Sequence, residues 1–131
     1  MARAAKRKHP DGYRVLRTSL NGLRSNLTAA HKMGAVLTHI ADMFEYNPNM
    51  LDEAAALGKV YVTPPRVDYI VLSVSSLPDK TREQYRKLID ELRAKVGEHR
   101  SLLEFNKTLA VSVLFEYVTR NIERFEIPAP H

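Results

Sequence analysis

The chain has no cysteine. That excludes a disulfide framework, a thiolate zinc site, an iron–sulfur cluster and a thiol nucleophile. It also suits a reducing compartment. Tryptophan is absent too, and the five glycines are scattered, so no Gly-rich loop is present to cradle phosphates. There is no nucleophile-elbow motif and no His-Glu-x-x-His pair. The longest apolar stretches, such as Tyr69–Leu72 and Leu109–Val118, fall far short of the roughly 20 residues needed to cross a bilayer. The basic start, Met1 to Lys8, is not followed by the apolar segment of a signal peptide. Carboxylate neighbours such as Asp90/Glu91 and Glu123/Glu126 read as helix-face charges, not as an acid–base pair. The expectation is a non-enzymatic protein without cofactor, metal or membrane association, acting in the cytoplasm, or in a virion if a phage encodes it.

What the chain does have is one domain's length, 131 residues, and a lopsided charge. Residues 1–36 carry eight basic side chains (Arg3, Lys6, Arg7, Lys8, Arg14, Arg17, Arg24 and Lys32) against Asp11 alone. Residues 37–66 are slightly acidic, and residues 67–131 balance ten against ten. The whole net charge of +5 therefore comes from the N-terminal segment. A basic arm running into a basic helix is an electrostatic footprint for nucleic acid or an acidic partner. The competing role is a solvated tail.

His9-Pro10-Asp11-Gly12 is a turn cluster that ends the arm, residues 1–12. A helical region, 13–64, should follow. Leu16, Leu20, Leu23, Leu27, Ala30, Gly34, Leu37, Ala41 and Phe44 recur at alternating spacings of 4 and 3, a heptad-like stripe. It fits one long helix, or two broken near Gly34, packed in a core or in a coiled-coil dimer. Arg14, Arg17 and Arg24 lie off the stripe. Asn47-Pro48-Asn49 ends it, and a short helix over about Met50–Leu57 is expected to stop at Gly58. Thr63-Pro64-Pro65 is a stiff break and the organisational boundary. No internal repeat is visible.

From Val67 to Val74 the residues favour a strand. Ile70, Leu72 and Val74 share one face; Tyr69, Val71, Ser73 and Ser75 share the other. Ser76-Leu77-Pro78-Asp79 reads as a helix entry. The helix should run to Val96, with Tyr85, Leu88, Ile89, Leu92 and Val96 inward and Gly97 as its stop. Ser101 and Glu104 form a capping-box pattern, opening a last helix to about Phe125. From Leu109 to Val118 that helix is apolar nearly all round, which implies burial on several sides and suggests a dimer interface. A strand is the rival reading of this run.

The order strand, Leu77-Pro78 entry, helix, Gly97-containing turn, Ser101-capped helix resembles the ribbon-helix-helix DNA-binding family over residues 67–125, within a C-terminal unit of residues 65–131. The resemblance implies a two-fold dimer whose paired strands enter the major groove and whose second helix meets phosphate at its N-terminus. Ser73, Ser75, Arg100 and Ser101 would then touch DNA. Three features depart from that family's pattern. Leu77 falls on the wrong face unless a bulge intervenes. The outward strand residues lack the Arg, Lys, Asn or Gln that read base edges. The region carries no net charge.

Weaker signals remain. Ala30, Gly34 and Ile40 suit the turn of a helix-turn-helix over Leu27–Met43. His31, His39 and Asp42 are too few for a metal site and read as helix-surface groups. Tyr13 sits between Lys8 and Arg14 and is a candidate to stack on a base, against packing at the helix start. The expected fold is mainly α with one short strand, N-terminal helices plus a ribbon-helix-helix-like C-terminal half, in a homodimer or higher oligomer; an all-α bundle is the alternative. The expected function is a small regulator or accessory factor of a plasmid, phage or conjugative element, binding double-stranded DNA. Its phosphate contacts would come from Arg3, Lys6, Arg7, Lys8, Arg14, Arg17 and Arg24. The alternative is a structural or adaptor protein that oligomerises through its helices and docks its arm on an acidic partner.

Overall fold

A computed structural model describes residues 11–128. The elements run β1 (Gly12–Leu16), α1 (Arg17–Arg24), α2 (Met33–Tyr46), α3 (Pro48–Val60), β2 (Tyr69–Ser73), α4 (Asp79–Val96), α5 (Lys107–Arg120) and α6 (Ile122–Phe125). The fold is mainly helical with a small antiparallel sheet, as the sequence suggests, but the sheet has two strands. Gly12 pairs with Ser73, Arg14 with Val71 and Leu16 with Tyr69.

The start of the expected first helix is instead β1. Tyr13 and Val15 alternate inward and Arg14 outward, the two-residue period of a half-buried strand. Leu16 then serves as the extended N-cap of α1. Its amide donates to Ser112 Oγ at 2.9 Å, which fastens β1 to α5. The stripe is split by a non-helical stretch at 25–32, where Ser25 and Asn26 both donate to Gly22 O. Gly34 lies inside α2, so the break falls earlier than its position suggests. Leu27–Met43 holds only one helix start, which removes the helix-turn-helix reading.

Two other boundaries move. α3 begins at Pro48, which needs no amide partner at the first helical position, and continues through Gly58 to Val60. The last helix starts at Lys107, not Ser101. Asn106 Oδ1 accepts from the Leu109 amide at 3.0 Å and caps it. Residues 101–105 form a turn held by Arg93, whose guanidinium donates to Phe105 O and Leu102 O, both at 3.0 Å. After β2, the Leu77 amide returns to Val74 O at 3.1 Å. The chain turns there, so Leu77 reaches the core without a bulge.

The element order contains a repetition that the sequence does not. β1–α1–α2 and β2–α4–α5 each run strand, helix, helix. They interlock: α1 packs on α5, and α4 packs on α2, so each half's first helix meets the other half's second. α3 is extra, wedged against α4 and α5.

One core runs through both halves, with Val15, Leu20, Leu23, Ile40, Phe105, Val113 and Phe125 almost fully enclosed. Phe44, Tyr117 and Phe125 close one end, with ring centroids 5.4–6.0 Å apart. The all-round apolar face of α5 is covered within the single chain by β1, α1, α3 and α4. A dimer interface is therefore not needed to bury it.

Candidate nucleic-acid interface

Antiparallel pairing alternates hydrogen-bonded and non-bonded residue pairs. The ladder continues past both strand ends: Val74 N–H donates to Asp11 O and Arg17 N–H to Asp68 O, both at 2.8 Å. Gly12/Ser73 and Arg14/Val71 are therefore non-bonded pairs, the kind whose side chains lie closest. Arg14, Tyr69, Val71 and Ser73 are all exposed on the face turned away from the core, as the alternation of the second strand predicts.

This face is built around two contacts. The Arg14 guanidinium lies over the Tyr69 ring, 4.6 Å from its centroid. Val71 is 69% exposed, and a Cβ at Gly12 would come within 2.8 Å of its Cγ1. A side chain at position 12 would require Val71 to shift. Ser73 and Ser75 share a hydroxyl–hydroxyl hydrogen bond of 3.2 Å. At the other end of the ribbon, Arg17 Nε donates to Asp68 Oδ2 at 2.6 Å. Arg24 is exposed at the end of α1, two turns beyond Arg17.

The structure therefore brings part of the expected site together. Arg14, Ser73 and Ser75 lie along one ribbon, and Asp11, from which the basic arm departs, is bonded to Val74 between the two serines. Arg3, Lys6, Arg7 and Lys8 lie outside the described residues.

Arg100 and Ser101 do not join this group. They follow the far end of α4, an 18-residue helix about 27 Å long. The Arg100 guanidinium donates to Gly58 O and Tyr61 O. Ser101 Oγ accepts from the Leu103 amide. Both act as turn and helix-end fasteners.

Tyr13 is buried, and burial, followed by the charge of Asp90, pushes its phenol up to about 12. The exposed aromatic of the ribbon is Tyr69 instead. His31 accepts from the Thr28 amide, His39 bonds Phe125 O, and Asp42 accepts from Gln84; the three do not converge. Among the described residues no helix is long and apolar enough to cross a membrane.

The strand expected to pair across a dimer axis pairs with β1 of its own chain. Comparison of the chain with protein-family models, curated proteins and solved structures found no match.

Proposed function

We propose that this chain is a non-enzymatic DNA-binding protein, a small regulator or accessory factor that presents the β1–β2 ribbon and its basic arm to duplex DNA. One observation carries the reading. The register that pairs Gly12 with Ser73 roots the arm beside Ser73 and Ser75, on the ribbon whose outward face carries Arg14. Sequence-distant features predicted separately for DNA contact thus meet at one place. Two strands about 4.8 Å apart fit the roughly 12 Å width of a B-form major groove. The arm's four cations would supply contacts to the flanking phosphates. The strand–helix–helix order supports the same reading, because it extends the ribbon-helix-helix resemblance from the C-terminal half to both halves.

A structural adaptor is the second reading. It is favoured by the exposed apolar side chains at the opposite end of the molecule: Val60, Val62, Leu102 and, at 91% exposure, Leu103. Fluorescence anisotropy of a random-sequence duplex separates the two. A protein using about six phosphate contacts loses roughly a thousandfold in affinity between 50 and 200 mM salt. That steep loss supports the DNA reading; no binding at the lower salt sinks it and leaves the adaptor.

A further inference from the structure

A ribbon shared by two identical chains shows the same side chains twice, and its target mirrors that two-fold symmetry. The ribbon of this chain does not. β1 contributes Gly12 and Arg14 to the outward face; β2 contributes Tyr69, Val71 and Ser73. The pair at its centre, where a two-fold axis would place identical residues, is Arg14 opposite Val71. The two sides of any groove it enters are read by different chemistry.

Arg14 is also prepared for the task. Its guanidinium rests 4.6 Å above the Tyr69 ring centroid. A cation–π contact of this kind holds the guanidinium in place without using a hydrogen-bond acceptor. Arg17 is engaged by Asp68, whereas Arg14 has no carboxylate partner among the described residues. A guanidinium held this way matches the paired O6 and N7 acceptors of guanine in the major groove, the commonest specific contact in DNA recognition. The exposed Val71 methyls beside it are an apolar surface for a thymine C5-methyl group. Double-stranded RNA is a poorer fit, because its major groove is too deep and narrow for side chains to read.

Resting on the duplex-DNA reading, we propose that a single chain recognises an asymmetric duplex site. Arg14, held on Tyr69, reads one guanine in it, and Val71 reads a neighbouring thymine.

The experiment is selection of bound duplexes from a randomised pool with the wild-type chain and with Arg14→Lys. The mass of the complex is then measured by sedimentation. Lysine keeps the charge and loses the planar fork. The expected result is a motif without two-fold symmetry, bound by one chain, with one position restricted to guanine. Arg14→Lys should lose a roughly 10- to 100-fold preference at that position. Its melting temperature should stay that of the wild type, so that the lost preference is not a loss of fold. A palindromic motif bound by two chains overturns the proposal. So does an asymmetric motif that Arg14→Lys leaves unchanged, or steeply salt-dependent binding without any motif, which spares the duplex-DNA reading. Failure to bind any duplex at low salt removes both.

Discussion

Arg100 donates from one guanidinium nitrogen to the carbonyls of Gly58 and Tyr61, at 2.9 and 2.7 Å, and so closes the C-terminal end of α3 from 39 residues away. The last carbonyls of a helix have no partner within it, and a cation placed there satisfies them while meeting the negative end of the helix dipole. The side chain is 20% exposed and its guanidinium also lies 5.9 Å from the Phe105 ring centroid. Arg100→Ala should therefore lower unfolding stability by about 1.5–3 kcal/mol, the range for hydrogen bonds to a charged group. Urea denaturation measures this. Duplex affinity should be unchanged at temperatures where the variant is folded. A folded Arg100→Ala protein with weakened duplex binding would return this residue to the DNA-contacting set.

Two helical glycines make opposite predictions. Alanine is favoured over glycine by up to about 1 kcal/mol in a helix interior. At Gly34 a new Cβ meets only Leu77 Cδ2 at 3.5 Å, an ordinary contact. Gly34→Ala should be neutral to stabilising by up to that amount. At Gly58 the same Cβ falls 2.8 Å from Val96 Cγ2 and 3.0 Å from Phe105 Cζ, and Phe105 is fully enclosed. Overpacking there should outweigh the propensity gain, for a net loss of about 1–2 kcal/mol. Thermal unfolding of the two variants side by side gives the signs; equal shifts would mean that α3 and the 97–106 turn are not packed together.

Alkaline titration reports on the ribbon's inner face. Burial, then the nearby Asp90 carboxylate, raises Tyr13 to about 12. Burial and the hydrogen bond to Glu53 do the same for Tyr117. Burial also raises Tyr85, whose hydroxyl donates to Leu37 O. A phenol whose folded pKa lies above its unfolded value of about 10 favours the fold while neutral. Its contribution is complete below pH 10 and is lost as the pH climbs from 10 through 12. Stability should fall across that window. The ultraviolet phenolate difference between wild type and Tyr13→Phe should have its midpoint near 12. A midpoint near 10 would place the ring in solvent and the strand's inward face with it.

The amphipathic stripe of α4 was fully legible: Tyr85, Leu88, Ile89, Leu92 and Val96 are all buried, and the helix ends where Gly97 indicates. So were the burial of Leu109–Val118 and the two faces of β2. β1 was not. Its alternation lasts five residues, and Leu16 satisfies the strand and the following helix equally, so the helical stripe absorbed it. What makes those residues a strand is β2, whose residues pair with them from 53 to 61 positions away, a tertiary cause that no local window contains. The misplaced start of α5 has a similar origin. Ser101 and Asn106 are comparable caps, and Arg93 decides between them by claiming the intervening carbonyls. The candidate site was half legible for the same reason. The arm could be named from composition, and the two serines only through the family resemblance. Their adjacency, and the exchange of Tyr13 for Tyr69 as the exposed aromatic, follow from the pairing register alone.

A ribbon closed within one chain assembles by a first-order process. Between the paired strands lie 52 residues, whose closure costs about 3.5 kcal/mol by polymer scaling, a fixed sum independent of how many molecules are present. Where two chains must meet to make the ribbon, folding and binding competence both fade on dilution. Here the strands cannot drift out of each other's reach, and a single molecule per cell keeps its ribbon assembled as completely as a thousand would.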